Sequence, residues 1–263
     1  MQIEKLPPVK ATLQPSNHPY LNGAWTPQHE EVTATDLEVI EGSIPDDIDG
    51  VYLRNTENQI HQPLGRYHPF DGDGMIHQID FSGGKASYRN RFVRTRCFQA
   101  EQDAGGSLWG GLMDKVGVSK RPGFGAHGSL KDSSSTDIIV HAGKAVSTFY
   151  QCGEGYVLDP ETLEQEGVAS WVPLDGISAH PKVDYATGEL INIGAMINGY
   201  MGPAELQYTI TTREGVVRHA VNIPVPHMAL VHTFFLTENW VVFPIIPIDS
   251  DLQRFMKGGP MTA

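Results

Sequence analysis

Strand-forming runs that stop at two-residue turns constrain this chain more than any other feature. In "MIHQIDFSGGKASYRNRFV" and "DIIVHAGKAVSTFY", β-branched and aromatic residues alternate with polar ones around Gly83-Gly84 and around a turn near Gly143. "LQYTITTREGVVRHAVNI" repeats the pattern with a turn at Gly215, and "HTFFLTENWVVFPII" with one at Glu238-Asn239. Alternation of period two puts one face of each run on a core and the other in water, so the chain has to fold as antiparallel hairpins. Helix is scarce. The candidates are "EQDAGGSLWGGLMD", weakened by its glycines, and a short piece around "SDLQRFM" with Ser250 as its cap. Residues 1–40 read as a Pro-rich lead-in and residues 115–136 as a long loop. So many meanders with so little helix suit a β-propeller better than a sandwich, because radial repetition protects strand edges. No repeat of fixed period is visible, so periodicity by itself describes a double sheet equally well.

Charge and cysteine content remove several classes of function. The 19 basic and 31 acidic residues leave a net charge of -12, which repels polyanions and argues against a nucleic-acid partner. Two cysteines, Cys97 and Cys152, cannot make a disulfide scaffold and suit a reducing compartment. The N-terminal "MQIEKLPPVKATLQPSNHPY" lacks the basic start and apolar run of a signal peptide, and no stretch reaches the length of a membrane span. The expectation is a soluble, cytoplasmic protein.

Two of the eleven histidines stand beside strands in a way that suits chemistry. His180 sits in "SAHPKVDYATGEL", between a small residue and a proline and ahead of a turn; His232 opens "HTFFLTEN". A neutral imidazole at a rigid strand end is a good metal ligand and also an ordinary surface residue. In a propeller the inner strand ends converge on the axis, so residues 52 positions apart, about one blade, can become neighbours. His61, His68, His77, His141, His219 and His227 read as residues of loops or of polar strand faces. "FDGDGM", residues 70–75, has the opening spacing of a calcium loop in Asp71 and Asp73 but none of the later oxygen ligands, and reads better as a tight turn. "GEGYV" lacks the strand and helix of a phosphate loop, and no serine has a nucleophile-elbow context.

Several stretches in order, "IPDDIDGVYLRN", "GRYHPFDGDGMIHQIDF", "HAGK", "LDPETLE", "SAHPKVDYATGEL" and "LVHTFFLTENWVVFPIIP", resemble the carotenoid cleavage oxygenases, a family that includes apocarotenoid and lignostilbene dioxygenases. The resemblance implies an all-β fold, a partial seven-bladed β-propeller with about the first half of the blades. Residues 1–263 would be the N-terminal part of one such domain, its lead-in at 1–40. The family's axis holds one Fe(2+) on four histidines without a carboxylate ligand. His180 matches the first of them and His232 the second; the other two have no counterpart within this chain, which is therefore expected to be incompetent without more sequence. Gln151 holds the place of a glutamate that bonds a ligand imidazole, Thr233 that of an aspartate, and Pro69 that of a tryptophan-like residue. Leu112 and Tyr150 take the places of the tyrosine and lysine that bind a phenol in the stilbene-cleaving branch, which shades the substrate towards an apolar polyene or apocarotenoid. Leu112, Phe149 and Tyr150 are the expected tunnel residues.

The implied reaction is iron-dependent cleavage of a conjugated C=C bond by O2 into two carbonyl products, with an apolar conjugated small molecule as substrate. Peripheral membrane contact and self-association through an exposed strand edge are further expectations. A non-catalytic propeller relic or interaction module is the alternative, favoured by Gln151, and a calcium-dependent propeller hydrolase is a third reading.

Overall fold

The alternating runs resolve into four antiparallel sheets. The computed structural model describes residues 1–114, 117–121, 131–150, 153–171, 177–195, 202–227, 231–246 and 257. The first sheet contains β1 (Gln2–Lys5), β2 (Val32–Thr35), β3 (Gly50–Asn58), β4 (Asp73–Ser82) and β5 (Lys85–Phe92), in the order β1-β2-β5-β4-β3. Gly83 and Gly84 close the β4–β5 hairpin with φ of 55° and 71°, the left-handed pair that matches the twist of the strands. The lead-in expected at residues 1–40 is more than an irregular tail, since β1 and β2 form the outer strands of this sheet. Every residue of β1 is exposed, so no burial pattern announces the strand; it pairs because β2 offers an open edge.

One helix, α1 (Arg96–Ala104), follows. Thr95 caps it by accepting from the Phe98 N–H at 2.9 Å, and Gly105 ends it in the left-handed conformation with φ of 67°. The helix expected over "EQDAGGSLWGGLMD" is thereby corrected: only its first four residues are helical, as the last part of a helix that starts earlier. The "SDLQRFM" piece lies outside the described residues.

The second sheet holds β6 (Asp137–His141), β7 (Lys144–Thr148), β8 (Tyr156–Leu158) and β9 (Gln165–Val168) in sequential order. The third is built likewise from β10 (Lys182–Asp184), β11 (Glu189–Ala195), β12 (Glu205–Thr211) and β13 (Val217–Pro224). A two-stranded sheet, β14 (Phe235–Leu236) with β15 (Val241–Val242), makes the fourth. Strand β6 packs against both β3 and β10, which are edge strands of their own sheets, so the sheets radiate from a common line. This is the expected partial β-propeller, with three complete blades and one two-stranded sheet among the described residues. Apolar faces of neighbouring blades supply the core. Ile76 and Val93 pack with Ala145, Tyr156 and Leu158, while Ile191, Ile193 and Leu206 pack with Val231 and Phe234.

"FDGDGM" is structural but is not the tight turn expected: a short 3-10 turn ends at Asp71, Asp73–Met75 already belong to β4, and neither Gly72 nor Gly74 takes a positive φ. Asp71 accepts from the His68 and Leu112 N–H groups at 2.8 and 2.7 Å. Gly74 lies so close to the Ser134 carbonyl that a Cβ there would stand 2.2 Å from the oxygen. The polar-face reading fails for His141 on β6, which is 3% exposed and hydrogen-bonded to the Gly188 carbonyl; His61 lies in a loop as expected but is also buried, at 2% exposure, and hydrogen-bonded to Thr12.

Candidate metal centre

The segment before β10 is held at both ends, and this explains the His-Pro arrangement. The Ser178 N–H donates to Asn192 on β11 at 2.7 Å, and the Ala179 carbonyl accepts from Thr148 Oγ1 at 2.8 Å. After Pro181 and β10, Asp184 nucleates the turn: its carbonyl accepts from the Gly188 N–H at 2.7 Å and its carboxylate from the Ala186 N–H at 2.9 Å. Gly188 takes a φ of 76°, which that turn requires. The His180 imidazole therefore projects from a backbone with little freedom. Its Nδ1 lies 2.8 Å from Asp137 Oδ2 at the start of β6. A carboxylate only accepts, so Nδ1 carries a proton, and in the neutral ring the lone pair is then on Nε2.

His232 reaches the same place from the entry to β14, next to the buried Val231. Its ring centroid is 5.0 Å from that of His180, with the planes at 73°. Burial lowers the His232 pKa, with a smaller contribution in the same direction from the neighbouring His180 ring, which favours the neutral form that can bind a metal. The Tyr150 ring lies 6.2 Å away, and the Phe149 ring is 4.6 Å from that of Tyr150, tilted by 40°.

This pair fits part of a metal site. Two imidazoles bound at about 2.0–2.1 Å to one ion, at roughly right angles, bring their ring centroids to roughly 4.5–5 Å. The observed separation and tilt agree with that requirement, and both rings can offer a neutral nitrogen. Among the described residues no group of three or more His, Cys, Asp or Glu side chains converges as a complete ligand set. Two neutral nitrogens hold ferrous iron weakly, given its low place in the affinity order. Gln151, expected to support a ligand ring, lies outside the described residues. The carboxylate beside His180 is Asp137, which sequence reading passed over as the first residue of an ordinary hairpin. An acidic residue opening an inner strand, in "STDIIVHAGK", was the available signal.

Leu112, Phe149 and Tyr150 line one narrow cavity together with Tyr67, Trp109 and Lys131. Its free volume is about 30 Å³, room for about one water molecule. The polar side of the cavity is organised by Lys131, whose ammonium lies 2.8 Å from both Asp73 and Glu101. Burial opposes the Lys131 charge, but the two carboxylates outweigh it and push the pKa up, so the side chain stays a cation.

A family profile described as retinal pigment epithelial membrane protein matches residues 25–263. The chain is 36% identical over 251 residues to an isoeugenol monooxygenase of Pseudomonas putida, covering 93% of this chain and 50% of that protein. It is 32% identical over 249 residues to resveratrol cleavage oxygenase 1 of Aspergillus fumigatus, covering 92% and 48%. Among solved structures, the lignostilbene dioxygenase of Pseudomonas brassicacearum superposes with a TM-score of 0.82 at 30% identity, over 95% of this chain and 52% of that one. A cobalt-substituted Synechocystis apocarotenoid oxygenase shares the fold with a TM-score of 0.72 at 22% identity, over 97% and 52%. The chain thus spans about half the length of the relatives it matches.

Proposed function

Because this chain belongs to the carotenoid cleavage oxygenase family, we propose that it forms part of an iron-dependent oxygenase that splits a conjugated C=C bond into two carbonyl fragments. The observation that carries the reading is the convergence of His180 and His232, 5.0 Å apart between ring centroids despite their separation in sequence. The overall change balances without an outside reductant, since the two alkene carbons each gain one oxygen atom from O2. A ferrous ion, when bound, supplies open positions and electrons for activating oxygen.

The chain's own residues hold, orient and shield. His180 and His232 offer neutral nitrogens from two neighbouring blades. Phe149, Tyr150 and Trp109 present aromatic faces that would stack on a flat substrate and keep water from it. Lys131, Glu101 and Gln59 give the same wall a polar end, which favours an aryl alkene with an oxygen substituent over a wholly apolar polyene. Relatives named for isoeugenol, resveratrol and lignostilbene support that preference.

Metal binding tests the reading directly. Anaerobic titration of the chain with Fe(2+) should show weak binding that is lost in both His180→Ala and His232→Ala. Oxygen-dependent release of aldehydes from isoeugenol or resveratrol, followed by chromatography in a polypeptide that contains this chain, should depend on the same two residues. Iron binding indifferent to both substitutions would reject the site, and the non-catalytic propeller reading would then stand.

A further inference from the structure

We propose that Asp137 is a positioning residue for the metal pair: its carboxylate fixes which nitrogen of His180 faces the ion and supplies the negative charge behind that ring. The inference rests on the metal reading above and adds to it a residue 43 positions from the ligand it serves.

Three features set this contact apart from an incidental surface pair. The carboxylate is locked at both oxygens, because Oδ2 accepts from His180 Nδ1 at 2.8 Å and Oδ1 accepts from the Ile138 N–H at 2.8 Å. The backbone of Asp137 is also anchored, its carbonyl accepting from Asn55 Nδ2 at 3.0 Å. Thr148 Oγ1 gives its one proton to the Ala179 carbonyl at 2.8 Å and lies 3.4 Å from the Asp137 carbonyl, so this side chain sits between the start of β6 and the residue immediately before His180. Ligand and partner are thus held to a single frame made from three blades, with Asn55 on the first, Asp137 and Thr148 on the second and His180 entering the third.

The chemistry explains why a frame is needed. A neutral imidazole has two tautomers, and only the one protonated at Nδ1 leaves Nε2 available to the ion. An acceptor that cannot donate selects that form, and its charge raises the ring's strength as a donor ligand. Among the described residues, Asp137 is the one carboxylate hydrogen-bonded to either histidine. Residue 151, where the family resemblance places an acidic partner, is a neutral glutamine in this sequence. Among the described residues, the negative charge behind the pair therefore comes from the start of β6. Asp137 and His180 keep 36% and 31% of their side-chain surface exposed, and a simple ion pair so exposed contributes little to stability. Orientation of a ligand is the role that its anchoring serves.

The test uses the chain itself with Co(2+) as the probe, followed by calorimetry and visible absorption, and with NMR of the metal-free protein reading the His180 tautomer. Asp137→Ala should weaken Co(2+) binding by roughly 10- to 100-fold and leave His180 as a mixture of tautomers. Asp137→Asn keeps an acceptor without the charge, so it should hold the Nδ1–H form and lose affinity by a smaller factor. A merely structural role would lower the unfolding midpoint without moving the tautomer. Co(2+) binding that is lost in His180→Ala but unchanged in Asp137→Ala, with the Nδ1–H form retained, would overturn the role of Asp137 and leave the metal reading intact. Binding that His180→Ala does not affect would overturn both.

Discussion

At the scale of single residues, the most informative groups are polar side chains deep between blades. Asp132 is 1% exposed, with Oδ1 accepting from the Ser134 N–H at 3.1 Å and Oδ2 from the Glu154 N–H at 2.9 Å. Burial pushes its pKa up to about 7, against the opposing effect of those two backbone bonds. The unfolded chain releases this proton near pH 3.9. Between roughly pH 4 and 7 the folded state therefore holds a proton that the unfolded state has lost, and this residue's contribution to stability falls as pH rises through that window. Asparagine cannot ionise, so Asp132→Asn should show a flatter loss of stability over that range, while sacrificing one backbone acceptor at every pH. Urea unfolding midpoints of both proteins at pH 4.5, 5.5 and 7.5 check this; parallel curves would refute it.

At the scale of elements, hairpins were legible because their determinants are local. Ala142 and Gly143, with φ of 54° and 75°, repeat between β6 and β7 the left-handed pair found at Gly83-Gly84. The last hairpin kept its place but not its length. Only Phe235 with Val242 and Leu236 with Val241 pair, because Phe234 and Phe243 turn inward onto the core of the third blade. The expected helix over "EQDAGGSLWGGLMD" began five residues late, because the start of α1 depends on one hydroxyl, that of Thr95. Thr95→Ala removes the acceptor of the Phe98 N–H at a buried cap, and should cost about 1 kcal/mol of unfolding free energy. Chemical denaturation reads that loss, and Thr95→Ser should recover most of it. An alanine variant as stable as the parent would show that the cap contributes nothing.

At the scale of the whole molecule, the inner strands line an open groove of about 640 Å³ formed by Val51, Leu53, Ile138, Val140, Tyr185 and Phe235, among others. Phe235 is 61% exposed and Tyr185 89%. An apolar surface of this kind favours association, so the chain expressed by itself should sediment as oligomers at micromolar concentration, and Phe235→Lys should shift it towards monomer. A parent chain that sediments as a monomer and binds no apolar dye would refute the expectation. The sequence by itself determined the all-β class, the turns, the place of "FDGDGM" as structure and the two histidines worth attention, because alternation and turn chemistry act over a few residues and the family motifs are contiguous. Tertiary structure alone decided that β1 and β2 complete a blade, that Lys131 sits between Asp73 and Glu101, and that Asp137 stands behind His180. Radial packing sets those partners side by side across blades, and a period-two pattern specifies which face of a strand is buried without specifying what it will meet there.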